Sequence, residues 1–120
     1  MVMNEKLSGV YIIRRADGLV KFGRTSNWAN RWRFYERQKT HKIVKVVHFA
    51  VTERYVELED WMHRLHFKNH VWGEWFRLNR RQVWRAVKLM KQFVEGKSIY
   101  APNRNFRHLR PVHTWVKKRI

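Results

Sequence analysis

Apolar and polar positions along the chain fall into a succession of short periods. Val10, Tyr11, Ile12 and Ile13 make a strand-like run between Gly9 and the pair Arg14-Arg15. Asp17-Gly18 is a hairpin signal, and Leu19 to Arg24 reads as the returning strand. Thr25-Ser26-Asn27 offers caps for a helix beginning near Trp28, whose core stripe is Trp28, Trp32 and Tyr35 at spacings of four and three. That helix ends before Lys39-Thr40. Ile43 to Val51 is β-branched and aromatic, a third strand. Thr52 offers a cap for a second helix running to about Phe67, with Leu58, Trp61, Met62 and Leu65 on its apolar side. A loop holding Gly73 leads into the short run Glu74-Trp75-Phe76-Arg77-Leu78. Asn79 with Gln82 predicts a capping box for a third helix to about Glu95, with Val83, Val87, Met90 and Val94 facing inward. Gly96 stops it.

The order β-β-α-β-α-(β)-α predicts an α+β fold: a small antiparallel sheet of about three strands flanked by helices. Residues 1–96 form this domain. From Lys97 the character changes to seven Lys or Arg, no acid, and helix-breaking Pro102 and Pro111, so 97–120 reads as a basic C-terminal arm.

Charge narrows the partner. Lys and Arg number 27 against 9 Asp and Glu, a formal net charge of +18. So much positive charge on a compact chain calls for a polyanion, and nucleic acid is the first expectation, with an anionic membrane surface second. There is no cysteine, which removes disulfides and thiolate metal sites and fits a reducing, cytoplasmic setting. MVMNEKLSG has no signal-peptide core, and no run approaches the ~20 apolar residues that span a bilayer, so no membrane partner is expected.

The scarce acids are unevenly placed. Glu53, Glu57 and Asp60 share the solvent side of the second helix, whereas Glu59 borders its apolar stripe beside Tyr55, His63 and His66. A rim carboxylate in a phosphate-binding protein is tolerable if a divalent cation bridges it to the phosphate, and Mg²⁺ asks for only one or two carboxylates. The alternative is an ion pair with a neighbouring Arg or Lys. His63, His66 and His70 also have spacings that a zinc site could use, with Glu59 as a further ligand, but no fourth ligand stands out.

Together these pieces resemble the GIY-YIG endonuclease superfamily. Gly9-Val10-Tyr11 stands as the first signature triplet and Lys21-Phe22-Gly23 in place of the second. Arg31 and Tyr35 follow on the first helix, and Glu59 on the second. Glu59-x-x-x-His63 followed by Gly73-Glu74-Trp75-Phe76 is similar to a small phage and bacterial branch. The second triplet begins with Lys where most members have Tyr, and the hairpin turn is about one residue shorter than usual.

The resemblance implies phosphodiester hydrolysis at a single site. Tyr11 would be the base or proton relay, with Lys21 lowering its pKa or orienting water. Arg31 would grip the phosphate, and Tyr35 would hydrogen-bond it or pass a proton. Glu59 would hold Mg²⁺ or Mn²⁺, and His63 would orient Glu59. Further DNA contacts are expected from Arg24, Arg33 and Arg37, from Arg81, Arg85 and Lys88 on the third helix, and from Arg104, Arg107, Arg110, Lys117, Lys118 and Arg119 on the arm. Cutting both strands would need a homodimer or sequential nicks. Two rivals stand beside this: a non-catalytic DNA-binding protein that keeps the fold, and an RNA-binding or assembly factor that uses charge alone.

Overall fold

The computed structural model describes residues 6–40 and 42–96. The arm, with Arg104, Arg107, Arg110, Lys117, Lys118 and Arg119, lies outside the described residues. Nine elements alternate along the chain. They are β1 (Gly9–Arg15), β2 (Val20–Thr25), α1 (Trp28–Glu36), β3 (Ile43–Val51), α2 (Tyr55–Leu65), β4 (His70–Trp72), β5 (Trp75–Phe76) and α3 (Arg80–Val94), with a single 3₁₀ turn at Phe67–Asn69 before β4. The fold is α+β, and the sheet has five strands rather than three, all antiparallel, in the order β3-β1-β2-β5-β4. β5 falls in the run 74–78 bracketed in the expected order, whereas β4, at three residues, is too short for an alternating pattern to mark.

β1 is an interior strand between β3 and β2, and both of its faces are covered. Val10 and Ile12 face a core shared with α2 and α3, through Leu58, Met62, Val83, Ala86, Met90 and Phe93. Tyr11 and Ile13 face the other way, against Trp28 and Tyr35 of α1, with Trp32 and Phe49 packed alongside. Period-two alternation therefore sends Tyr11 to the α1 side and its neighbours to the α2–α3 side.

Local chemistry sets the boundaries. Gly18 takes φ +91° in the hairpin turn. The Asn27 side chain accepts from the Asn30 amide to open α1, and Asn79 and Gln82 form a reciprocal capping box that opens α3. At α2 the cap position is Arg54, while Thr52 Oγ1 accepts from the Arg54 amide at 3.0 Å. The helix ends at Leu65, two residues before the expected end, because the chain tightens into the 3₁₀ turn. On α3 the inward row is Val83, Ala86, Met90 and Phe93; Val87 is only partly buried and Val94 is exposed. Phe93 takes the place expected of Val94 because it fills the gap against the sheet with far more apolar surface.

Candidate active site

β5 is two residues long, and on β2 it reaches only Val20 and Lys21. Beyond that point β2 has no strand on its outer side, so residues 22–25 form an open edge. In an antiparallel ladder, alternate residues direct their backbone groups to opposite neighbours. Phe22 and Arg24, offset by two, both direct theirs toward the open side. α2 covers them with side chains one helical turn apart. His63 Nε2 hydrogen-bonds the Phe22 carbonyl oxygen at 2.8 Å, and the Glu59 carboxylate faces the Arg24 backbone amide.

Glu59 is 6% exposed, and Arg24 Nη1 lies 3.5 Å from its Oε1. Burial first, then the Glu74 carboxylate, push Glu59 up to about 7, with Arg24 and Lys21 opposing. The rim position expected from the sequence is thus an almost enclosed one, and the ion-pair alternative is present in the form of Arg24. His63 is buried as a neutral ring: burial pushes it down to about 4. Its ring is engaged by a backbone carbonyl, so it organises the β2 edge that Glu59 also covers.

On the other face of the sheet the Tyr11 and Tyr35 hydroxyls hydrogen-bond at 2.8 Å. Tyr11 crosses the backbone of Gly23, its register partner on β2. A Cβ at position 23 would overlap the phenol, so only glycine admits the ring there. Burial, followed by Tyr35, raises the Tyr11 pKa, and Arg31 pulls it the other way. Lys21 does not offset these influences. Tyr11 is therefore a neutral phenol, suited to relaying a proton rather than to removing one as a phenolate.

Lys21 Nζ sits 3.3 Å from Glu74 Oε1 and 5.6 Å from the centroid of the Tyr35 ring. Burial lowers its pKa, but Tyr35 and Glu74 more than reverse this, so the ammonium is held charged beside the two phenols. Arg31 is partly buried and lines a surface hollow with Thr25, Ser26, Asn27, Asn30 and Phe34. Its guanidinium carbon lies 5.4 Å from the centroid of the Phe34 ring.

Glu74 joins the two sides. It stands in the turn between β4 and β5, directly before the strand that stops short. From there its charge acts on Tyr11 and Lys21 on the α1 side and on Glu59 and His63 on the α2 side. Sequence periodicity does not single out Glu74, although it lies inside the Gly-Glu-Trp-Phe run; the signal was one of only nine acids next to a turn glycine, Gly73, at φ +57°.

The structure thus gathers Tyr11, Lys21, Tyr35 and Glu74, with Arg31 and Glu59 within electrostatic reach of members of that group. Arg24 joins through Glu59. Arg33 and Arg37 are exposed on α1, and Arg81, Arg85 and Lys88 are exposed on α3, which packs on the opposite sheet face. The three histidines do not converge on a common ion. His63 bonds the Phe22 carbonyl, His66 Nδ1 the Met62 carbonyl and His70 Nε2 the Gly73 carbonyl. Among the described residues no group of three or more His, Cys, Asp or Glu could hold a metal ion. Glu59 and Glu74 still fit a hard cation. Burial first and Glu74 second raise Glu59, a divalent ion taking oxygen ligands would relieve the Glu74 part, and Mg²⁺ can complete its shell from water and phosphate.

No family model, curated protein or solved structure matches the chain.

Proposed function

We propose that the protein is a metal-dependent DNA endonuclease with one GIY-YIG-type site. The observation that carries this reading is the convergence at the open end of β2. There the Tyr11–Tyr35 hydroxyl pair, the Lys21 ammonium and Glu74 stand together, and Glu59 answers the same Glu74 charge from the other sheet face.

In the proposed reaction, water forms a bond to phosphorus, the bond to the 3′-oxygen breaks, and that oxygen takes up a proton. The Tyr11–Tyr35 hydroxyl pair hands the water's proton on to bulk water, and bulk water supplies the proton that the 3′-oxygen takes up. Lys21 orients the water and offsets charge building on the phosphoryl oxygens. Arg31, at the surface hollow beside the pair, offers a planar fork to the phosphate. Glu59 and Glu74 would hold Mg²⁺ or Mn²⁺, which would relieve charge on the phosphate and the departing oxygen. Holding it would take Glu59 away from the Arg24 guanidinium and leave that group for a DNA phosphate. The basic surfaces and the arm supply sequence-independent grip. One site cuts one strand, so a double-strand break takes two copies or two nicks. Such an enzyme works where DNA is accessible, in a bacterial or phage-infected cytoplasm.

One observation favours a second reading. Glu59 is almost enclosed and already paired with Arg24, as in a domain that keeps the fold to bind DNA without cutting it. Incubating supercoiled plasmid with the protein and Mg²⁺ or Mn²⁺ separates the two. Nicking that disappears in Glu59→Gln and Arg31→Ala, with duplex binding and circular dichroism unchanged, supports the nuclease. Undiminished nicking in both variants, or binding without nicking under either ion, refutes it. No helix among the described residues is long and apolar enough to cross a membrane.

A further inference from the structure

α3 turns its apolar row into the core and leaves a different kind of surface outside. Trp84 is 59% exposed at the middle of that outer face. Arg80 and Arg81 lie one turn before it, Arg85 beside it and Lys88 one turn after, all exposed. Arg80, Arg81, Trp84 and Arg85 line a shared open hollow. Lys88 Nζ lies 4.4 Å from the centroid of the Trp84 ring, a cation–π contact on one face of the indole, while the residue's 59% exposure leaves ring surface for a planar group. None of the ion pairs among the described residues involves these four cations. α3 itself, Arg80–Val94, contains no acid.

An exposed tryptophan costs apolar surface in water, and here it is ringed by charge that needs an anion. A duplex backbone would satisfy the arginines but would leave the indole without a partner. A lipid surface would accept both, yet an interfacial helix needs a broad apolar face. On α3 that face is buried against the sheet, leaving Trp84 almost alone outside. A nucleobase out of its stack provides both a flat π-face and flanking phosphates.

We propose that the outer face of α3 is a stacking site for an unpaired nucleobase, with Trp84 as the platform and Arg80, Arg81 and Arg85 on the adjoining phosphates. The inference rests on the nucleic-acid part of the function proposed above and not on cleavage. The site lies across the sheet from α1, so a strand held there is gripped apart from the Tyr11–Tyr35 pair. It gives the protein a preference for DNA carrying single-stranded, flapped or extruded nucleotides over uninterrupted duplex.

The test uses the full chain at one fixed salt concentration, a labelled oligothymidine, and a fully paired duplex of equal length. Trp84→Ala is expected to weaken oligothymidine binding by roughly 5- to 150-fold, the range for losing one stacked base. Duplex affinity should change by less than about twofold, because the phosphate contacts remain. Trp84→Phe should recover most of the loss, and both variants should melt like the wild type because the residue is outside the core. Unchanged oligothymidine binding in Trp84→Ala, or an equal loss on both nucleic acids, overturns the stacking site. So does a defect confined to phosphatidylglycerol–phosphatidylcholine vesicles. Wild-type protein that binds neither nucleic acid refutes the nucleic-acid reading itself, whereas a stacking failure leaves the Glu59→Gln nicking result standing.

Discussion

Gly23 makes the candidate site possible, and replacing it with alanine should show how tightly the phenols are held. The backbone at Gly23 is ordinary strand, so alanine meets no conformational penalty there. By reducing the freedom of the unfolded chain it should even stabilise by about 0.4–1 kcal/mol. Steric overlap opposes this. A Cβ at position 23 would stand 2.6 Å from Tyr11 Cε1 and nearer still to the hydroxyl end of the ring. Carbon atoms prefer about 3.5–4.0 Å, so the ring would have to move by roughly 1 Å. It has little room, being 2% exposed, with the Trp28 ring centroid 5.1 Å away and Tyr35 edge-on at 5.9 Å. Overpacking of this kind costs about 1–3 kcal/mol, and loss of the Tyr11–Tyr35 hydrogen bond about 0.5–1.5 kcal/mol more. The steric terms win, leaving Gly23→Ala less stable by about 1–4 kcal/mol.

A double-mutant cycle assigns that cost to the ring. In Tyr11→Val, itself destabilised by the cavity it opens, the same alanine has space and should be neutral or slightly stabilising. Urea unfolding of the four proteins should give a coupling of about 1–5 kcal/mol. Gly9→Ala is the control, since its Cβ would strike the Ala50 backbone carbonyl, and Tyr11→Val should not rescue it. Additive effects at positions 11 and 23, or a neutral Gly23→Ala, would refute the packing argument.

Two further outcomes concern the buried ionisable groups. Glu59 is pushed up from 4.5 to about 7, so between those values the folded state holds a proton the unfolded state has lost, and stability falls as pH rises. His63, pushed down from 6.5 to about 4, acts in the opposite sense, its contribution being lost on acidification through that window. Each is worth on the order of 3 kcal/mol in full, so they largely offset one another between about pH 4.5 and 6.5. Glu59→Gln should remove one side of this balance. Relative to the wild type its stability should climb by about 1.4 kcal/mol per pH unit across that window in urea melts, and a level difference would contradict the assigned burial. Glu74→Gln should bring the Glu59 carboxyl back toward its ordinary value of 4.5, read by carboxyl-carbon NMR titration, and weaken Mg²⁺ binding; an unmoved Glu59 would mean that the two acids are not coupled.

What the sequence made legible was set by the range of the signal. β3 was readable because nine residues of β-branched and aromatic character leave few options, and α3 because its Asn79–Gln82 box is a four-residue pattern. Tyr11 and Lys21 could be placed together because a hairpin register follows from its turn, and Tyr35 because it lies on the apolar stripe of the next helix. β4 and β5 were not readable as a pair. Their existence depends on the edge of β2, which lies some fifty residues upstream, and three- and two-residue strands carry no period. Glu74 was missed for the same reason, since its importance comes from where the hairpin turn lies. The burial of Glu59 was underestimated because a helical wheel gives a side but not the depth of the neighbour it packs against.

The short β5 links these features. A longer strand would have paired with Phe22 and Arg24 and closed the edge. By stopping at Lys21 it leaves two backbone groups that must be satisfied in another way, and α2 answers with an acid and a histidine one turn apart. The acid proposed to hold the metal is therefore also the acid that faces the Arg24 amide and pairs with the Arg24 side chain. If a cation takes one Glu59 oxygen, the other can stay on the backbone amide while the guanidinium is released. Metal binding would then alter the surface offered to DNA without disturbing the strand. Mg²⁺ should therefore tighten duplex binding in the wild type and leave it unchanged in Arg24→Ala, read by titrating labelled duplex with and without the ion, and an equal gain in both would refute the exchange.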